Sequence, residues 1–260
     1  MPLVSIKHIL LWISVFVGLT VGLSTETCQA RSIQDTEYLQ TVILDHSSKS
    51  KVVMFGGKHG SYRADDDFVA QLLPKLNKQG FEYLALEFEK NPRKNSLHEI
   101  VQDYAHGKLI KEHIHIAWIS REKRYCAGTF DLMDVAKNLG MNFIFYDADE
   151  GEYNSWKERE KISFSNLKEL IFEKDPNAKA VIFCGASHIN EEPYEDMSGD
   201  VRKGSQEKIR YLACYIDKGS NAHNFTVSLL GASVSGIIAP HCDMVVDLND
   251  STYYYNCHSQ

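Results

Sequence analysis

The sequence predicts an α/β fold: a mainly parallel central sheet with helices on both faces and a site at the carboxyl ends of the strands. Three observations carry this expectation. Short apolar runs alternate with helix-patterned segments from Lys51 to Gly231, the order that builds βαβ units and a parallel sheet. Some runs are apolar on both alternating faces, as strands covered from two sides must be. Two runs end in the same Gly-x-x-His pattern, and open parallel sheets build their sites just beyond the carboxyl ends of their strands.

The elements follow in order. "KVVMF" (Lys51–Phe55) reads as a short buried strand. "DDDFVAQLLPKLNKQG" reads as a helix whose apolar stripe is Phe68, Leu72, Leu73 and Leu76. Asp65, Asp66 and Asp67 load its first turn, where the helix dipole favours them, and are expected to be solvated. Pro74 is expected to kink this helix, and Gly80 to stop it. "FEYLALEFE" (Phe81–Glu89) is a second strand, and "SLHEIVQDYAHG" a helix ending at Gly107. "HIHIAWI" (His113–Ile119) fits a strand or a helix start. "TFDLMDVAKNLG" is a helix with Thr129 as its cap. "MNFIFYDADE" is a strand, "NSWKEREKISFSNLKELIFEK" a long helix, "AKAVIFCGASH" a strand and "NFTVSLLG" a late strand. The polar stretch 190–205 is long for a loop and is a candidate lid.

Composition narrows the function. The chain has 260 residues, 43% hydrophobic and 24% charged, enough for one domain spanning 31–260. Its net charge of -7 and the lack of a Lys/Arg stripe with aromatics exclude a nucleic-acid partner. The apolar run Ile9–Leu23 has 15 residues. That is short for a membrane span of about 20 and fits the apolar core of a secretory signal within residues 1–30. A secreted or periplasmic location is expected, with the N-terminal segment as the membrane contact if it stays uncleaved. Cys184 reads as a buried core thiol, and Cys242 and Cys257 flank a segment they can close as a loop. Sequons stand at Asn224 and Asn249. Oligomeric state is not legible.

The chemistry gathers at strand ends. "FGGKH" places His59 after the first strand and "CGASH" places His188 after another, about 130 positions later. "YLALEFE" sets Glu87 in or beside a buried region, where a carboxylate needs a cation, a metal or a histidine. Two histidines and a glutamate suit a catalytic metal, so His59, His188 and Glu87 are the expected ligands of a divalent metal ion. "FIFYDADE" adds acidic Asp147 and Asp149.

These motifs resemble the superfamily of erythromycin-esterase-like proteins, ChaN-like haem-uptake lipoproteins and the TraB/TIKI group. The likeness rests on "GGKH", "LALEF", "GASHI" and "WKEREKISFSNLKELI", and covers most of Lys51–Gly231. It implies a role for Arg159 near the start of the helix leading to the second histidine strand. Relatives often read Gly-Glu-x-His at the first motif, with that glutamate activating water; here the position is Gly57. The resulting expectation is a metal-dependent hydrolase of a peptide or ester bond. His59 and His188 hold the ion, Glu87 is third ligand or base, and Arg159 steadies the oxyanion or a substrate carboxylate. Asp147 fixes a histidine tautomer. The same resemblance offers two alternatives: a haem-binding protein drawing on its tyrosines, among them Tyr253, Tyr254 and Tyr255, or a catalytically inactive effector or toxin-type domain.

Overall fold

Among the described residues eight strands form one sheet in the order β1-β8-β7-β6-β2-β5-β3-β4. They are β1 (Arg31–Ser32), β2 (Val52–Gly57), β3 (Phe81–Glu89), β4 (Asn142–Asp147), β5 (Lys179–Gly185), β6 (Asn224–Leu230), β7 (Met244–Asp247) and β8 (Thr252–Tyr255). The computed structural model describes residues 31–32, 36–57, 63–110, 127–191, 210–219, 224–230, 242–248 and 252–255. From β4 through β7 every neighbouring pair is parallel, and β8 and β1 add an antiparallel margin. The predicted α/β class and mainly parallel sheet are therefore observed.

Helices cover both faces. On one face lie α1 (Thr36–Ser47), α2 (Arg63–Lys78), α3 (Leu97–Ala105) and α4 (Ala127–Asn138). Their Ile43, Leu72, Val101 and Met133 pack against Val53, Phe55, Leu84, Leu86 and Val181 of the sheet. On the other lie α5 (Trp156–Leu167), continued by a π-helical turn Lys168–Phe172, and α6 (Leu212–Gly219). Their Leu167, Ile171, Leu212 and Ile216 meet Met54, Ala85 and Ile182. All six β2 residues are buried, which explains an apolar run with no alternation.

Several local expectations change. The α2 helix runs through Pro74 to Lys78, and Gly80 follows at φ 89, the left-handed region a C-terminal glycine serves. Thr129 lies inside α4 rather than capping it, and its hydroxyl donates to Asp66 at 3.1 Å. Asp65 is 1% exposed, so the start of α2 is a buried acidic corner, not a solvated one. Asn224 is buried and its amide donates to the Ala213 carbonyl, which withdraws that sequon from any glycan on the folded chain. Cys184 is a buried thiol, as expected.

His59, His113, His115, Asn249, Cys257, the segment 1–30 and nearly all of the candidate lid at 190–205 lie outside the described residues. Among the described residues no helix is long and apolar enough to cross a membrane.

Candidate functional site

The two Gly-x-x-His motifs meet through backbone register. Gly56 pairs with Cys184 and Gly57 with Gly185, so β2 and β5 end side by side. Beyond Gly185 the chain makes a single 3-10 turn, Ala186–Ile189, that carries His188. A Cβ on Gly56 would stand 2.8 Å from the Ile189 side chain and 2.9 Å from the Ala186 Cα. Gly56 is therefore the floor on which the His188 turn rests.

The helix α5 supplies the opposite wall. Ser155 caps it, accepting from the Glu158 amide at 3.2 Å, and its first turn starts at Trp156. Trp156, Arg159, Glu160 and Ser163 then fall at helical spacing on neighbouring positions of one face. The arrangement of this face toward the strand ends assembles a charged cluster.

Glu87 stands at its centre. Its Oε1 lies 2.7 Å from Arg159 Nη2 and 2.9 Å from His188 Nε2. Its Oε2 accepts the Gly185 amide at 2.7 Å. The sequence argument that Glu87 needs a partner is met here by a guanidinium and an imidazole. Asp147, at the end of β4, takes both Nε (3.0 Å) and Nη2 of Arg159, the fork that a guanidinium offers a carboxylate. It also accepts from Ser163 Oγ and the Ala148 amide. Asp147 therefore orients Arg159 and not the histidine.

The group that orients His188 is Glu160, which sequence reasoning missed. Its Oε1 lies 2.7 Å from His188 Nδ1, and the residue is 1% exposed. The available signal was its helical position beside Arg159, one turn from Ser163. A glutamate inside "KEREK" reads as a solvated charge, and only packing shows otherwise.

The electrostatics follow from this clamp. Burial alone would lower the pKa of His188, but Glu160 and Glu87 outweigh it and hold the imidazole well above its ordinary value, as an imidazolium. Burial likewise disfavours the charged form of Arg159, and Asp147 and Glu87 more than restore it. Three carboxyl groups (Glu87, Asp147, Glu160) thus face two basic side chains (Arg159, His188) among the described residues. Burial pushes the Cys184 thiol up, with Glu87 and Glu160 adding to the effect. That is the opposite of what a nucleophilic cysteine needs.

The expected metal ligands fare differently when tested against this geometry. His59 is outside the described residues. Both nitrogens of His188 face carboxylates, and both oxygens of Glu87 face donors, one of them a guanidinium that would repel a cation. Among the described residues no group of three or more His, Cys, Asp or Glu side chains is arranged to hold an ion. The described donors do not fit a divalent metal in this arrangement.

Asp65 occupies an informative place. A Cβ on Gly57 would stand 2.8 Å from its Oδ2. The Asp65 carboxyl fills the space that any side chain at position 57 would need.

No family model matches the chain, and no curated protein does. Solved structures superpose on it in part. The C-terminal region of Pasteurella multocida toxin, described as holding a thiol-protease like catalytic triad, superposes with a TM-score of 0.51 at 13% identity, over 84% of this chain and 26% of that one. RRSP, a MARTX toxin effector domain from Vibrio vulnificus, gives 0.49 at 14% identity, over 86% and 38%. ChaN of Campylobacter jejuni, described by its cofacial haem binding, gives 0.42 at 15% identity, over 85% and 95%. This chain thus spans well under half the length of the two toxin chains. At 13% identity the likeness to the Pasteurella multocida toxin region speaks for the α/β fold alone.

Proposed function

We propose that the chain is a hydrolase of an acyl bond, peptide or ester, working by proton transfer at the Glu87–His188 pair. The observation that carries this reading is the His188 ring held between two buried carboxyl groups, 2.9 Å from Glu87 and 2.7 Å from Glu160, at the carboxyl end of a parallel sheet. Such a cluster costs free energy to bury and to hold in one geometry, and perturbed groups of this kind concentrate at functional sites. Glu87 is the base that takes a proton from water as the water oxygen bonds to the acyl carbon; His188, 2.9 Å away, is the acid that gives a proton to the leaving nitrogen or oxygen as the acyl bond breaks, and Glu87 then returns its proton to His188. Arg159, fixed by Asp147, offers its remaining N–H groups to a carbonyl oxygen as charge grows there. Glu160 and Asp147 are positioning residues. A location outside the cytosol belongs to the proposal and is supported by the apolar run Ile9–Leu23.

Haem binding has weaker support. Tyr253, Tyr254 and Tyr255 pair in β8 with β7, away from the His188 turn at the end of β5. The readings separate in one preparation. Purified protein is assayed on a panel of fluorogenic peptides and aryl esters, before and after chelation, with its ultraviolet-visible spectrum recorded with and without haemin. The proposal expects hydrolysis that survives chelation and no Soret shift. Activity that disappears with stoichiometric metal, or a Soret band without hydrolysis, would sink it.

A further inference from the structure

Trp156 opens α5 with 47% of its surface exposed. It is not a stray surface aromatic, because the Arg159 guanidinium carbon lies 5.0 Å from its ring centroid. That distance is within cation–π range. The same guanidinium gives Nε and Nη2 to Asp147 and Glu87. Its Nη1 makes no hydrogen bond or ion pair with any described residue, although the side chain is only 12% exposed. An open indole and a donor edge therefore adjoin one another at the rim of the charged cluster.

We propose that Trp156 and the Nη1 edge of Arg159 form a subsite for a planar, apolar group that carries a neutral carbonyl, as in an aromatic amide or ester. The proposal rests on the hydrolase reading and gives that site its substrate class. The indole offers ring surface on which a flat group can stack. The guanidinium is pinned by two carboxylates and by the indole, so little side-chain freedom is lost when a ligand arrives. The preference for a neutral carbonyl follows from charge. Glu87 and Asp147 already pair with Arg159, and acidic groups outnumber basic ones among the described residues of the cluster, so a ligand carboxylate would meet repulsion where an amide oxygen meets only a donor. Arg159 and Trp156 lie three residues apart on one helix face with Glu160 and Ser163, which places the subsite beside the clamp around His188.

Equilibrium binding to the full chain, measured by saturation-transfer NMR and by quenching of tryptophan emission, tests this without turnover. The probes are N-acetyl-phenylalaninamide, N-acetyl-glycinamide and N-acetyl-phenylalanine. The aromatic amide is expected to bind at least about five-fold more tightly than either of the others, the scale of one aromatic stacking contact. Trp156→Ala should lose about that factor, and Trp156→Phe should keep most of it. An exposed position makes both variants safe for folding, and circular dichroism confirms it. No saturable binding, equal binding of the aromatic and glycine amides, tighter binding of the free acid, or wild-type binding by Trp156→Ala would each overturn the subsite. Binding as expected in a chain that hydrolyses nothing would leave the subsite standing and remove only the hydrolase reading.

Discussion

Glu87 is a carboxylate whose two oxygens receive a guanidinium, an imidazolium and a backbone amide. Breaking one partner of a buried ionic network leaves the others uncompensated, at about 3–5 kcal/mol. A conservative Glu87→Gln keeps the shape and removes the charge. Gly57 makes the sharper test of how the site is built. The Asp65 carboxyl occupies the space that a side chain at position 57 would need. Gly57→Glu should therefore destabilise the fold by about 1–3 kcal/mol, the usual cost of overpacking, and should add no activity. Combined with Asp65→Ser it should cost less than the two single changes together, since neighbours in contact are not additive. Chemical denaturation of the four chains measures this, and strict additivity would refute the steric account.

Four members of the charged cluster were named in the sequence and one, Glu160, was not. Glu87, Asp147, Arg159 and His188 are named by strand ends, by one buried acid and by the family-like motifs, and the structure brings all four together. Which atoms meet was not legible. His188 and Glu87 read as co-ligands of an ion because both are good donors, whereas in space they face each other. Glu160 was hidden because its burial is tertiary, against the His188 turn from a distant part of the chain, and no local pattern records that.

At the scale of elements, α2 and α4 meet across an acidic corner. The Asp66 carboxyl is pushed up to about 7, first by burial and then by Asp65 and Asp67, against the lowering effect of the Thr129 hydroxyl. A Cβ on Gly128 would stand 2.5 Å from its Oδ2, so α4 presents a glycine where this carboxyl needs room. The folded chain thus holds this proton more tightly than an unfolded chain, whose aspartate has the ordinary value of 3.8. The contribution is fully favourable below that ordinary value and is lost as pH rises through about 7. Asp66→Asn should raise stability at pH 8, by no more than about 4 kcal/mol for the whole shift, and should change little near pH 4. Melting curves at the two pH values check this; an equal effect at both would contradict it.

Long elements were legible and short ones were not. Strands β2, β3, β4, β5 and β6 stand out as apolar runs punctuated by turn residues. β1 and β8 have two and four residues, and β7 is "MVVD", too short for any period to show. In the structure Ser96 and Ser155 cap α3 and α5, each accepting from the amide of a glutamate three residues on. Thr129 was misleading because a hydroxyl near a helix start reads as a cap, while its real partner is an aspartate 63 positions away.

At the scale of the molecule, a six-stranded parallel core fixes where chemistry can occur. The ends of β2, β3, β4 and β5 place Gly56, Glu87, Asp147 and Gly185 together, and α5 brings Arg159 and Glu160 to them. The fold is shared with a toxin region of far greater length, and a fold of this kind hosts many functions. The case for hydrolysis therefore stands on the cluster. Its most direct measurement is the initial rate of the full chain and of Glu87→Gln on the same panel of acyl substrates, with both chains shown to be folded. The account predicts turnover of at least one neutral amide or ester by the unaltered chain, reduced by about 100-fold or more in Glu87→Gln, the usual worth of a general acid–base group. Equal rates in the two folded chains, or no turnover by the unaltered chain on any substrate, would contradict it.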